Sequence, residues 1–263
     1  MELSIEKKIA VVTGASRGLG RAVAEALAKE GANLAICSRN KRDIEEASEA
    51  IRIRYHVEVL PVECDVTKLS DIERLKNAVK NRFKTCHILF TNADGPPSGA
   101  LDDFRSEDYE KAIRLNLLST IQLVYAFIPF MKRQKWGRVI ASTSSNVRCL
   151  LPQFPLSNVS RIGIVAFIKT LAHEFAPFNV TANVLAPGLF LTEPTIDFIK
   201  DCSKRKRIKY SEALREIQGT IPAQTIGRPE DYGALAAFLA SGWASYITGE
   251  TILIDGGQHC LVM

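Results

Sequence analysis

No cysteine pair with C-x-x-C spacing occurs in these 263 residues. The six cysteines, Cys37, Cys64, Cys86, Cys149, Cys202 and Cys260, are scattered, and the four histidines show no metal-ligand spacing. That excludes a zinc ribbon or a dithiol redox centre and predicts reduced, mostly buried thiols and no metal site. No charge of one sign dominates: a net charge of +5 with 24% charged residues gives no reason to expect nucleic-acid or membrane binding. Met1 to Ala10 lacks an apolar leader and a cleavage site. The longest apolar stretch, Leu117 to Met131, is broken by Ser119, Thr120, Gln122 and Pro129, too short and too polar to span a bilayer. Repeats, linkers and low-complexity segments are missing too. The expectation is a cytoplasmic, soluble chain forming a single domain over 1–263.

What is present is an alternation of strand and helix from end to end. Apolar, β-branched runs at Lys8–Thr13, Asn33–Ser38, Val57–Val62, His87–Phe90, Arg138–Ser142, Val180–Leu185 and Thr251–Ile254 predict seven strands. Between them, helical periodicity predicts helices over Leu19–Glu30, Arg42–Arg54, Ser70–Phe83, Glu107–Gln134, Ser157–Ala176 and Pro229–Ala240, with a more polar helical stretch over 195–218. Short apolar strands separated by helices specify a parallel sheet covered on both faces. With right-handed crossovers this is an α/β, Rossmann-type doubly wound fold.

The first strand runs into Thr13-Gly14-Ala15-Ser16-Arg17-Gly18-Leu19-Gly20, and a helix follows. Gly14 permits a tight turn, and Gly18 and Gly20 let the backbone approach a pyrophosphate and the sheet. The helix start then offers free N–H groups to phosphate oxygens. The strand before and the helix after are the context that a dinucleotide-binding turn requires.

The Gly-x-x-x-Gly-x-Gly spacing resembles that of the short-chain dehydrogenase/reductase family, 3-oxoacyl carrier-protein reductases in particular. Matching segments continue in order: Cys64-Asp65-Val66, Thr91-Asn92-Ala93-Asp94, Asn116, Gly137-Arg138-Val139-Ile140 leading to Ser144, Pro187-Gly188-Leu189-Phe190-Leu191-Thr192, Gly227-Arg228-Pro229-Glu230, and Ile247-Thr248-Gly249 before Asp255-Gly256-Gly257. The resemblance implies cofactor-binding roles for Gly14, Ser16, Arg17, Gly18, Leu19, Gly20, Arg39, Asp65, Val66, Asn92, Ala93, Pro187, Gly188 and Thr192. It implies oxidoreduction of a small-molecule carbonyl or alcohol and a homo-oligomer, tetramer or dimer, built on the long helices and the C-terminal edge.

Charge selects the cofactor. An NAD-preferring turn carries an acid at the end of the second strand, roughly 20 residues on, for the ribose 2′-hydroxyl. Here the chain reads Ser38-Arg39-Asn40, with Arg17 in the glycine turn. Guanidinium groups suit a 2′-phosphate and an acid repels it, so NADP(H) is expected.

At the chemical end the sequence departs from the family. A tyrosine that exchanges the proton, with a lysine four residues later, is expected at 157 and 161; the chain has Ser157 and Arg161, and no tyrosine lies between Tyr125 and Tyr210. Lys169-Thr170-Leu171 keeps the family register, so the replacement is real. Ser144 and Asn116 are the retained catalytic elements, and Ser157 and Arg161 the replacements. Three surrogates stay open: a water bracketed by Ser144 and Ser157, a carbonyl polarised by Arg148, and Asp94, which stands where the family has glycine and is otherwise a turn residue facing solvent. A protein that binds NADP(H) without turnover is the alternative. Residues 193–220 correspond to the family's substrate-covering segment; its basic run, Lys204 to Lys209, is either a solvated face or a landing site for an acidic partner. Gly95-Pro96-Pro97-Ser98-Gly99 is expected to form a rigid wall after the fourth strand.

Overall fold

Seven β-branched and apolar runs pair side by side in one sheet. The computed structural model describes residues 2–260. The strands are β1 (Ile9–Thr13), β2 (Asn33–Ser38), β3 (Val59–Glu63), β4 (Ile88–Thr91), β5 (Gly137–Ser142), β6 (Val180–Pro187) and β7 (Thr251–Ile254). Their order is β3-β2-β1-β4-β5-β6-β7, and every pair is parallel. β1, β4, β5 and β6 are buried along their whole length, which is why they read as continuous apolar runs rather than alternating ones. The order reverses between β1 and β4, so the crevice at the carboxyl ends of those strands is where a doubly wound sheet takes its ligand.

Helices α1 (Gly18–Lys29), α2 (Lys41–Tyr55), α3 (Leu69–Phe83), α4 (Ser106–Ile113), α5 (Ser119–Gln134), α6 (Pro155–Phe175), α7 (Glu193–Lys206), α8 (Tyr210–Gly219) and α9 (Pro229–Leu239) complete the chain. One core cluster packs α1, α2 and α9 on the sheet through residues such as Val23, Leu27, Ile44 and Tyr232. A second packs α3, α5 and α6 on the opposite face through Leu75, Phe127, Met131 and Ile164. A small third core, with Ile199, Ala213 and Ile221, joins α7 to α8.

Two expected elements are divided. The helix predicted over Glu107–Gln134 is interrupted by a π-helical turn at Arg114–Leu118. Ser119 and Thr120 hydroxyls donate to the Leu115 and Asn116 carbonyls there, at 2.5 and 2.9 Å, supplying partners for a ladder that has slipped by one residue. The 29-residue run Ser106–Gln134 is long and apolar enough to cross a membrane by composition, yet half of its most apolar stretch is buried inside the fold. The polar stretch predicted over 195–218 is two helices, because Arg207 turns left-handed at φ +54° and its N–H closes on Lys204.

Candidate functional site

The glycine turn forms as its spacing requires. Gly14 and Gly18 sit at φ +60° and +59°, a conformation that costs glycine little and other residues much. A Cβ on Gly20 would lie 2.1 Å from the Gly14 carbonyl oxygen, so this contact between helix and turn exists only because Gly20 has none. The start of α1 has no side-chain cap and no acid in its first turn, whereas Asn40 caps α2 by accepting from Asp43 N–H. The free N–H groups of α1 therefore face a cavity of about 330 Å³, a volume suited to a small-molecule site. Thr13 Oγ1 donates to the Asn92 carbonyl and accepts from Asn92 N–H, both at 2.8 Å, locking the turn to the loop after β4.

Of the residues expected to hold a cofactor, Gly14, Ser16, Arg17, Gly18, Leu19 and Arg39 line this cavity on one side, and Asp65, Val66, Asn92, Ala93, Pro187 and Thr192 complete it. Gly20 and Gly188 do not line it. Gly20 lies buried beneath the turn. Gly188 faces β7, where a Cβ would lie 2.7 Å from Asp255 Cβ. Asp65 is partly occupied with its own turn, since its Oδ1 accepts from Thr67 N–H and Oγ1.

The cavity rim carries two ion pairs that were not foreseen. Arg17 Nη1 pairs with Glu193 Oε2 at 2.8 Å, joining the glycine turn to the first residue of α7. Arg39 pairs with Asp94, whose side chain is more than half exposed at the rim. Arg148 is exposed and donates to the Thr251 carbonyl at 3.2 Å. Gly95–Gly99 has no regular structure and is pinned at its far end, where Gly99 N–H donates to the Gln153 carbonyl. In the basic run, Lys206 is paired with Glu216 at 2.6 Å and Lys204 with Asp201 at 3.9 Å.

Among the expected catalytic residues, Arg161 alone lines the cavity. It is 6% exposed, and its Nη1 donates to the Thr143 carbonyl at 3.0 Å. Its Nε has no partner among the described residues. Burial pulls this guanidinium down to about 10, with Tyr232 and Asp94 pulling the other way, so it is charged at neutral pH. Ser157 is buried one turn earlier on α6. Ser144 caps the short 3-10 turn Ser145–Val147, its Oγ accepting from Asn146 N–H at 3.4 Å. Asn116 is engaged at both ends of its amide: Nδ2 donates to the Asp94 carbonyl at 3.1 Å, and Oδ1 accepts from Ser160 Oγ at 3.0 Å. It braces the loop after β4 against α6.

Known proteins share this fold. A family model described as enoyl-(acyl carrier protein) reductase matches residues 14–259. Rat dehydrogenase/reductase SDR family member 4 is 32% identical over 254 residues, 96% of this chain and 88% of the rat protein. The chain belongs to the short-chain dehydrogenase/reductase family. The 3-oxoacyl-[acyl-carrier-protein] reductase of Aquifex aeolicus is 31% identical over 260 residues, covering 98% of this chain and all of the relative. The structure of L-sorbose reductase from Gluconobacter frateurii, complexed with NADPH and L-sorbose, superposes with a TM-score of 0.96 at 28% identity, and each chain is fully covered.

Placed on this short-chain dehydrogenase/reductase, the cavity also contains residues that sequence reasoning missed. Ser142 and Thr143 line it at the end of β5. Ser142 Oγ accepts from the hydroxyl of Tyr232 at 2.9 Å. Burial holds the Tyr232 proton well above the usual tyrosine range, opposed by its bond to Ser142 and by the Arg161 charge. Tyr232 therefore keeps its proton and leaves the Ser142 hydroxyl proton free to turn elsewhere. Nothing in the sequence signals this pair: the two residues are 90 apart and meet only because α9 packs on the sheet. Glu193 was equally invisible, although an acid at the first position of a helix is an ordinary signal.

Proposed function

We propose that this chain binds NADP(H) and interconverts a small-molecule carbonyl and its alcohol, with a proton donor other than the family's tyrosine. One observation carries the reading: a single cavity joins the uncapped start of α1, the two rim arginines and the buried, partly unpartnered Arg161. Those features fit a phosphorylated dinucleotide. The α1 start and the Gly14–Gly20 turn would take the pyrophosphate, and Arg17 and Arg39 the 2′-phosphate. Asp65, Val66 and Ala93 would border the adenosine, with Asn92, Pro187, Gly188 and Thr192 at the nicotinamide half. The NADPH bound by L-sorbose reductase supports this assignment. When bound, NADP(H) supplies or accepts the hydride.

The chain's own residues must then orient the substrate and move a proton. Arg161 holds the ribose and keeps a positive charge beside the site; a guanidinium does not give up its proton at neutral pH. Ser144 Oγ and Ser157 Oγ bracket a water that carries the proton to the substrate oxygen. Asn116 acts by holding the loop after β4 in place. Helices α7 and α8, within 193–220, cover the substrate. The protein works in the cytoplasm as a homo-oligomer, a reading supported by its free cysteines and by the exposed apolar residues Tyr125, Val159 and Ile162 on α5 and α6.

NADPH oxidation against ketones, quinones, aldoses and 3-oxoacyl thioesters, with Ser144→Ala alongside, tests this. Turnover that is lost in the variant is expected; unchanged turnover would remove Ser144 from the mechanism. A second reading, binding without turnover, is favoured by one observation: Ser144, Asn116 and Ser157 lie outside the cavity lining. It predicts NADPH binding, no turnover on any of these compounds and no effect of Ser144→Ala on binding.

A further inference from the structure

The end of β2 is the place where a dinucleotide-binding sheet distinguishes a ribose hydroxyl from a ribose phosphate. In this chain that position is Arg39, whose cation is not free. Nη2 is paired with Oδ2 of Asp94, which comes from the loop after β4, 55 residues further along the chain. Both residues line the cavity. The backbone of Asp94 is fixed, because its carbonyl accepts from buried Asn116, itself held by Ser160. Its side chain is 57% exposed, and that of Arg39 63%. The carboxylate is thus delivered to the guanidinium by an anchored backbone, while the pair itself remains in water, where such pairs exchange readily.

We propose that Asp94 determines cofactor specificity: its carboxylate occupies the guanidinium of Arg39 and thereby weakens the preference for a 2′-phosphorylated dinucleotide over its unphosphorylated counterpart. This rests on the dinucleotide reading above. A 2′-phosphate, carrying close to two negative charges at neutral pH, must displace Asp94 from Arg39. A 2′-hydroxyl does not meet that obstacle, and the carboxylate is an acceptor available to it. The acid that an NAD-type site places at the end of β2 is here supplied from the neighbouring loop. The second rim cation, Arg17, faces the same competition from Glu193, so the phosphate end of the cavity holds two arginines and two resident carboxylates.

The test is fluorescence titration of the full-length protein with NADPH and NADH, and calorimetric titration with 2′,5′-ADP and 5′-ADP, for wild type, Asp94→Asn, Arg39→Ala and the double variant. Asparagine preserves size and the backbone contact to Asn116 while removing the charge. Asp94→Asn is expected to tighten NADPH and 2′,5′-ADP by up to about fivefold, the upper worth of an exposed pair, and to change NADH and 5′-ADP less than about twofold. In the Arg39→Ala background the gain should vanish, because Asp94 acts through Arg39. An unchanged NADPH-to-NADH ratio in Asp94→Asn, or a gain that persists without Arg39, would overturn the assignment while leaving dinucleotide binding intact. Failure of wild type to bind either dinucleotide would overturn the underlying reading and the role of Asp94 with it.

Discussion

Ser157 and Arg161 lie one turn apart on α6, and both are buried. On the proposed assignment they replace a tyrosine and a lysine, which removes a phenol, keeps a cation and makes proton delivery the step that this site is least equipped to perform. The double variant Ser157→Tyr/Arg161→Lys should raise carbonyl reduction by about 10²–10⁴, the usual worth of a positioned general acid. It should lower stability by about 1–3 kcal/mol because a much larger side chain must enter a buried position now held by serine. Steady-state rates and thermal denaturation read the two effects, and an unchanged rate would mean that proton delivery does not limit turnover. A second residue-level prediction concerns His87. Its Nδ1 accepts from Ile9 N–H at 3.0 Å, which requires the neutral ring. Burial, helped by the Lys8 charge, pulls it down to about 4. The unfolded chain takes up that proton first, near its ordinary value of about 6.5. The stabilisation is therefore complete above pH 6.5 and is lost as pH falls towards 4. His87→Asn, whose Oδ1 can accept the same bond without titrating, should flatten denaturation midpoints measured across that window.

At the scale of elements, α1 is the helix on which the cofactor reading depends. Gly20→Ala would push a methyl group onto the Gly14 carbonyl and part the helix from the turn. A stability loss of about 1–3 kcal/mol is expected in denaturant titration, together with NADPH binding weakened by more than tenfold. Retained affinity would mean that the turn does not need this contact. The glycine turn could be read from the sequence because its requirement is local: positive φ and a missing Cβ within one supersecondary unit. The strand runs were legible for a similar reason, since burial on both faces leaves an apolar signature. The π-helical turn was not legible. Its cause lies in Ser119 and Thr120 reaching back to carbonyls, while the apolar periodicity of Ser106–Gln134 continues across it. The break between α7 and α8 was missed because Arg207 carries no glycine or proline to announce it.

For the whole molecule, the exposed side chains of α5 and α6 form the apolar face that argues for self-association. Tyr125 is 69% exposed and Ile162 47%, and the Tyr125 ring lies 6.4 Å from that of Phe167, which links the two helices on that surface. Ile162→Glu, alone and with Tyr125→Glu, should reduce the mass measured by light scattering, since charge at the centre of an apolar interface is costly. An unchanged mass would exclude this face as the interface. The candidate site is also a property of the whole molecule, because its rim is drawn from the ends of β1, β2, β4 and β6 and from α7.

By itself the sequence determined the sheet, the glycine turn, the absence of any tyrosine between Tyr125 and Tyr210 and the arginines at 17 and 39. Each of these is written in a short stretch of chain by periodicity, by a backbone conformation only glycine adopts readily, or by the chemistry of one side chain. Only the tertiary structure decided which charges meet. Arg39 with Asp94, Arg17 with Glu193 and Tyr232 with Ser142 are separated in sequence and joined by the order in which strands lie and helices pack. Hydrogen bonding and charge pairing act over a few ångströms, and sequence distance carries no record of that separation.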